Sequence, residues 1–385
     1  MSKNKLSLFK INMAGIYIHI PFCKQKCSYC AFHFSTNLSY TERMIKALCQ
    51  EITLRKHELD NQEIKTIYFG GGTPSILSEQ QLQVIFDTLR HSFDLSNVAE
   101  ITLEANPDDI TEEKVLLWKA LVINRLSIGI QSFDSVDLQW MNRAHTAEQS
   151  LNSIKIAQNS GIPNITIDLM YGLPELSLEK WKSTIQQVLA LNVPHISAYC
   201  LTVEERTALY QKVKQQTLLP SDQDLQNEQF DLLVQTLTDN GFLHYEISNF
   251  GKPDFIAVHN TNYWNGNHYL GIGPSAHSFD GACRKWNISN NHTYMKALEN
   301  NELPYEIETL TPKNKFNELL LTGLRTVWGV SLQQLEEIMP LTAEFRQKVK
   351  HYTAEKLMFE QQNHLILTQQ GKHLADTIAE DLFEV

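Results

Sequence analysis

A chain of 385 residues with 42% hydrophobic and 20% charged side chains buries a sizeable core and has room for more than one domain. Its net charge of −11 at pH 7 argues against a general nucleic-acid surface, which rests on clustered Lys and Arg. No apolar run reaches the roughly 18 residues of a membrane span, and the start "MSKNKLSLFKINMAG" lacks the apolar stretch of a secretory signal. These features point to a cytoplasmic protein, whose contact with a membrane, where it occurs, is peripheral.

Six short β-rich runs recur through the first two hundred residues: "GIYIHI" (15–20), "KTIYFG" (65–70), "AEITLE" (99–104), "RLSIGI" (125–130), "NITIDL" (164–169) and "HISAYC" (195–200). Between them lie helical periodicities such as "SEQQLQVIFDTLRHSF" and "LEKWKSTIQQVLALN". Strands alternating with helices imply a parallel sheet, because parallel neighbours need a crossover. Six units are too few for a closed eight-unit barrel, so the expectation is a partial (β/α)6 barrel over residues 1–205. An open doubly wound sheet is the alternative. Residues 206–305, rich in Gly, Asn and aromatics, read as an irregular extension covering the pocket. From 306 to 385 the chain turns helical and ends in a strand, a turn and an amphipathic helix, the pattern of a small winged-helix-like domain. The acidic terminus favours a structural or partner-docking role for it over DNA binding.

The chemistry is concentrated at the strand ends. A cysteine-rich loop succeeds the first strand and "GGGTP" the second, Glu104 with Asn106-Pro107 closes the third, Gln131 ends the fourth, and Asp168 lies at the end of the fifth. In parallel α/β folds the ligand site gathers at the carboxyl ends of the strands. These groups are therefore expected to share one pocket, although any one alone could be an ordinary turn or cap.

Three of the six cysteines, Cys23, Cys27 and Cys30, lie within eight positions of one another. In a cytoplasmic protein such a cluster points to metal or redox chemistry rather than disulfides, whereas the isolated Cys49, Cys200 and Cys283 read as buried apolar residues. Structural zinc, with His19 or His33 as fourth ligand, is one reading of the spacing. An iron–sulfur cluster is the other.

Cys-x3-Cys-x2-Cys after a first strand, with "GGGTP" after the second, resembles the radical S-adenosylmethionine superfamily. The resemblance implies that Cys23, Cys27 and Cys30 hold a [4Fe–4S] cluster whose fourth iron chelates S-adenosylmethionine and cleaves it reductively. "YIHIPFCxxxCxYC", "YFGGGTPS", "LEANPDDI", "LSIGIQSFD", "NRAHT" and "IDLMYGLP" narrow the likeness to the oxygen-independent coproporphyrinogen III oxidases and their paralogues, the heme chaperones, over the whole chain. It implies that Tyr17, Tyr29, Gly71, Gly72, Thr73, Glu104, Gln131, Arg143 and Asp168 contact S-adenosylmethionine. Glycines let backbone approach the ligand, Arg143 suits a carboxylate, Glu104 and Asp168 suit ribose hydroxyls or a positive charge, and Tyr29 can pack on adenine.

Two departures match the chaperone pattern. The decarboxylating oxidase has a further cysteine two positions after the third, where this chain has Phe32, and a longer arm ahead of the cysteine loop. "HNTNYW" matches the His-Asn-x-x-Tyr-Trp motif associated with heme in the chaperones, which makes His259, Asn260, Tyr263 and Trp264 candidate heme contacts; His268 and His277 are alternative axial ligands. Without the resemblance, His259 would read as hydrogen-bonded within the extension and the two aromatics as its packing. The function this implies is heme binding and transfer to a heme-accepting protein such as a membrane respiratory enzyme, with an electron donor if the cluster is reduced. The alternative is oxidative decarboxylation of coproporphyrinogen III.

Overall fold

Six segments of the first two hundred residues place apolar side chains on one face and mostly polar ones on the other, and all six are strands. The computed structural model describes residues 13–60 and 62–384; the lysines that open the chain lie outside the described residues. Strands β1 (Met13–Ile20), β2 (Glu63–Gly71), β3 (Glu100–Ala105), β4 (Arg125–Gln131), β5 (Ile165–Tyr171) and β6 (His195–Cys200) pair in parallel in chain order. Helices α1 (Thr41–Leu54), α2 (Glu79–Ser92), α3 (Glu112–Ala120), α4 (Ser135–Trp140), α5 (Ala147–Asn159) and α6 (Leu178–Ala190) make the crossovers. A doubly wound sheet needs a reversal of strand order. With strictly sequential order and crossovers of one hand, every helix lies on the same face and the other face becomes a lumen. The architecture is the partial (β/α)6 barrel.

The alternation along the strands has this origin. Ile67, Phe69, Ile101, Leu103, Leu126, Ile128, Ile167 and Ile196 are buried in the main apolar core. Between them Tyr68, Thr102, Glu104, Arg125, Ser127, Thr166, Asp168, Ser197 and Tyr199 line a common cavity of about 60 Å³ in the lumen.

The stretch 206–305 departs from the irregular extension expected of it. Helices α7 (Ala208–Lys214) and α8 (Gln223–Asp239) lead to short strands β7 (Leu243–His244) and β8 (Asn249–Gly251), and β8 pairs antiparallel with β6. Helix α9 (Val258–Trp264) comes next. Strand β9 (His268–Ile272) then runs parallel to β1 on its free side and is succeeded by antiparallel β10 (His277–Phe279) and β11 (Cys283–Asn287). Helix α10 (Asn291–Glu299) and strand β12 (Tyr305–Thr309) complete a twelve-stranded sheet. The polar composition of this region misleads because short edge strands need few apolar residues.

Residues from 312 onward build a second core. Helices α11 (Pro312–Gly323), α12 (Leu332–Ile338), α13 (Ala343–Ala354), α14 (Gln369–Lys372) and α15 (Ala375–Asp381) accompany strands β13 (Val330–Ser331), β14 (Met358–Gln361) and β15 (His364–Leu367). The strands form an antiparallel sheet in the order β13-β15-β14, and Phe316, Leu320, Leu335, Phe345, Leu365 and Ile378 fill the space between sheet and helices. Helices α11–α13 leading into the β14–β15 hairpin are the arrangement of a winged-helix-like domain, here followed by α14 and α15. Among the described residues no helix is long and apolar enough to cross a membrane. Cys49, Cys200 and Cys283 are half-buried rather than buried.

Candidate cluster and cofactor site

The cysteine loop is locked to the glycine strand end by backbone hydrogen bonds. Gly72 N–H donates to Ile20 O (2.9 Å), Thr73 N–H donates to Phe22 O (2.7 Å), and Cys23 N–H donates to Ser35 O (3.1 Å). Only glycine fits at Gly72, because a Cβ there would stand 2.4 Å from Phe22 O. Gly71 has φ +101°, and the space its side chain would need is filled by the ring of His19.

All three thiols of the loop are partly shielded from solvent. Thr73 Oγ1 donates to Cys23 Sγ (3.3 Å) and Arg143 Nη1 donates to Cys27 Sγ (3.4 Å). Burial pushes the Cys23 thiol up to about 12, against the pull of the Thr73 hydroxyl, and raises that of Cys30 as well. Such thiols ionise when a metal takes the place of the proton. The histidines that a zinc site would need are engaged elsewhere: His19 hydrogen-bonds Tyr17 Oη (3.1 Å) and His33 O (2.8 Å), and His33 Nε2 bonds Asn291 Oδ1 (2.7 Å). Among the described residues no three His, Cys, Asp or Glu side chains are gathered around one ion-sized point.

Arg143 comes from the turn between α4 and α5, whose start is fixed by a Thr146–Gln149 capping box. Its Nη2 donates to Asn106 Oδ1 and Gly129 O, both at 2.7 Å, while its Nε is buried without a partner. A buried guanidinium N–H left unpaired beside cysteine thiols fits an acceptor such as a carboxylate. The Tyr29 hydroxyl lies against the same guanidinium. Gln131 ends β4 with φ +65°, a left-handed conformation uncommon outside glycine and found at ligand sites.

The two carboxylates converge on the lumen. Glu104 accepts from Tyr68 Oη (2.8 Å) and from Gly71 N–H (3.1 Å), and Asp168 accepts from Ser127 Oγ (3.3 Å). Burial raises Glu104 to about 7; burial and the nearby Glu104 raise Asp168 to about 7. Two buried acids with no cation between them favour their neutral forms, and a positively charged ligand would reverse this.

The structure therefore brings Cys23, Cys27, Cys30, Gly71, Gly72, Thr73, Glu104, Gln131, Arg143 and Asp168 to one end of the barrel, with Tyr29 against Arg143. Tyr17 lies deeper, stacked on Tyr68 with ring centroids 6.0 Å apart. Tyr68 is a site residue that spacing did not reveal, whereas Asn106, expected at the end of the third strand, is held there by Arg143. Tyr68 shares the lumen-facing side of "TIYFGG" with Thr66 and Gly70, and that alternation was the available signal.

Of His259, Asn260, Tyr263 and Trp264, only Asn260 lines the lumen cavity with Glu104 and Asp168. All four belong to α9, which packs inside the sheet against the N-terminal halves of β1–β3: Glu100, the first residue of β3, accepts from Val258 N–H (2.9 Å) and His259 N–H (3.0 Å). His259 is 2% exposed. Its Nδ1 bonds Thr66 Oγ1 (2.7 Å) and its Nε2 bonds Tyr263 Oη (2.9 Å), so both ring nitrogens are used. Burial lowers its pKa to about 3, which leaves the ring neutral.

The description "Radical SAM superfamily" matches residues 17–188, and "HemN C-terminal domain" matches residues 310–374. The chain is 32% identical over 366 residues to "Heme chaperone HemW" of Lactococcus lactis subsp. lactis, covering 94% of this chain and 96% of that protein. It is 33% identical over 374 residues to "Heme chaperone HemW" of Bacillus subtilis, covering 95% and 98%. The solved structure of coproporphyrinogen III oxidase (HemN) from Escherichia coli superposes with a TM-score of 0.84 at 22% identity, over 97% of this chain and 90% of that one, which is a likeness of fold. With this geometry and these relatives along nearly its full length, the chain belongs to the radical S-adenosylmethionine superfamily and, within it, to the HemW family.

Proposed function

We propose that the protein is a heme chaperone, which binds heme and passes it to an acceptor while a [4Fe–4S] cluster and S-adenosylmethionine occupy the strand-end site. The observation that carries this over the oxidase reading is Phe32. It stands where the oxidase branch has its further cysteine, and its ring is 75% exposed to solvent. Long HemW relatives at about a third identity support the same reading.

At the strand ends Cys23, Cys27 and Cys30 would hold three irons. Bound there, the cluster supplies a low-potential electron and an open iron for the amino and carboxylate groups of S-adenosylmethionine. Arg143 offers its unpaired Nε–H to that carboxylate. The backbone of Gly71, Gly72 and Thr73 forms the shelf beneath the cofactor, Glu104 and Asp168 take its ribose hydroxyls or balance its sulfonium charge, and Tyr17, Tyr29 and Gln131 complete the contacts. Reduction of the cluster calls for an electron donor. The acceptor of heme is a heme protein such as a membrane respiratory enzyme, met through peripheral contact.

For heme itself, contact by His259, Asn260, Tyr263 and Trp264 requires α9 to leave the sheet, since both His259 nitrogens are engaged. His268 is half-buried and His277 exposed on the neighbouring strands, so both imidazoles are within reach of solvent in the present arrangement. Anaerobic heme titration of the cluster-reconstituted protein, monitored by Soret absorbance, tests the proposal with His259→Ala, His268→Ala and His277→Ala alongside. Saturable binding is expected, and the variant that weakens it names the ligand. No saturable binding, together with protoporphyrinogen formed from coproporphyrinogen III, would install the oxidase reading.

A further inference from the structure

Helix α9 is connected through side chains of β1 and β2 to the proposed S-adenosylmethionine site. Its amino end is tied to Glu100, and the His259 ring is clamped on both nitrogens, by Thr66 Oγ1 at 2.7 Å and Tyr263 Oη at 2.9 Å. So held, the ring presents its face to Tyr68, with centroids 5.0 Å apart and planes 24° from parallel. Tyr68 in turn donates its hydroxyl to Glu104 Oε1 (2.8 Å), and Glu104 Oε2 accepts from Gly71 N–H (3.1 Å). One path thus runs from α9 through a ring stack to the carboxylate and the glycine shelf.

A second path reaches the cysteine loop. Tyr17 stacks on Tyr68 (6.0 Å, 26°) and on His259 (6.5 Å, 29°). Its hydroxyl bonds His19 Nδ1 (3.1 Å), and His19 Nε2 bonds the carbonyl of His33, just beyond the cysteines (2.8 Å). The His19 ring also occupies the space beside Gly71, where an added Cβ would come within 2.4 Å of it.

We propose that α9 is a positioning element for S-adenosylmethionine, with His259 fixing Tyr68 and Tyr17 and, through them, Glu104, Gly71 and the cysteine loop. Packed aromatic rings and satisfied hydrogen bonds offer few alternative arrangements, so a change in the His259 ring moves the tyrosine that orients Glu104. The inference rests on the reading that S-adenosylmethionine binds between Gly71 and Glu104. It assigns the motif a role that holds whether or not His259 ever meets heme.

The test is calorimetric titration of S-adenosylmethionine into the full chain after cluster reconstitution, with iron content matched between proteins. The change that S-adenosylmethionine makes in the electron paramagnetic resonance spectrum of the reduced cluster is the second readout. His259→Ala is expected to weaken binding roughly tenfold, toward the lower end of site-to-site couplings, and to alter the spectral change. Thr66→Val, nearly isosteric, keeps the fold while releasing Nδ1, and is expected to weaken binding roughly threefold. Tyr68→Phe is expected to weaken it as His259→Ala does, and the double variant by less than the product of the two single effects, because the residues share one path. Wild-type affinity and an unchanged spectral response in both Thr66→Val and His259→Ala, with Tyr68→Phe impaired, would overturn the inference. Failure of the wild-type protein to bind S-adenosylmethionine would instead overturn the underlying site reading, and this inference with it.

Discussion

Gly72 leaves no room for a methyl group. A Cβ at this position would meet Phe22 O at 2.4 Å and Ile20 O at 2.7 Å, both backbone atoms. Gly72→Ala is expected to push the cysteine loop off the glycine shelf, at a cost of about 1–3 kcal/mol of stability, with loss of iron on reconstitution; thermal denaturation and iron analysis check both. The carboxylates make a prediction with a sign. Glu104 and Asp168 are raised to about 7 in the folded protein, whereas in the unfolded chain they ionise near pH ~4. Over that interval the folded state holds the extra protons, so stability of the cofactor-free protein is expected to fall as pH rises from about 4 through 7. Denaturant titrations across this range check it, and Glu104→Gln should flatten the slope. Because a cation between the two acids favours their charged forms, affinity for S-adenosylmethionine is expected to rise between about pH 6 and 8. Among single residues the cysteines, the glycines, Glu104, Asn106 and Asp168 were legible from spacing and strand-end position, and Arg143 through the family resemblance. Tyr68 was not, since a tyrosine in a strand has common structural uses.

Helix α1 binds the barrel to the strands that extend it. Glu51, fully buried, accepts from Tyr294 Oη (2.5 Å), Asn287 Nδ2 (2.7 Å), Gly273 N–H (2.8 Å) and Arg55 Nη1 (2.8 Å). Arg55 also donates to Gly271 O (2.8 Å) and to both oxygens of Glu58. Glu51→Ala would leave a buried guanidinium and three further donors short of an acceptor, and is expected to cost about 3–5 kcal/mol, measured by chemical denaturation. A milder test lies at α5, where Thr146 and Gln149 form a capping box just after Arg143. Thr146→Ala is expected to cost about 1 kcal/mol. The caps of α2 and α5 can be read from Ser-x-x-Gln and Thr-x-x-Gln because capping is local. The Glu51 knot cannot, because three of its four partners lie more than two hundred residues away along the chain.

Between the two cores, the C-terminal unit closes over the region that carries α9. Gln369 Nε2 (3.2 Å) and His373 Nε2 (2.9 Å) share Asp231, and Lys372 Nζ donates to His244 Nδ1 (3.0 Å). Backbone bonds join Ile247 N–H to Arg325 O (3.1 Å) and Val327 N–H to Tyr245 O (2.9 Å), and the Arg325 guanidinium lies 5.8 Å from the centre of the Trp264 ring. Ending the chain after residue 309 is expected to uncover Tyr245 and Trp264, lower the melting temperature and weaken S-adenosylmethionine binding. Thermal denaturation and titration of the truncated protein check this, and unchanged affinity would show that the second unit does not support the site.

The features that can be read from the chain alone are those written in near-neighbour spacing. The six strands lie within two residues of the expected segments, since a period of two and a period of 3.6 are local signals of backbone conformation. The strand-end polar groups and the cysteine triplet mark the site because parallel strands all deliver their carboxyl ends to the same rim. Long-range packing, in contrast, determines where "HNTNYW" goes, that 268–309 extends the sheet, and that Tyr68 joins a buried stack to Glu104. Each of these depends on which segments meet after chain reversal. Residue spacing encodes local geometry, and such meetings are settled by packing the whole core.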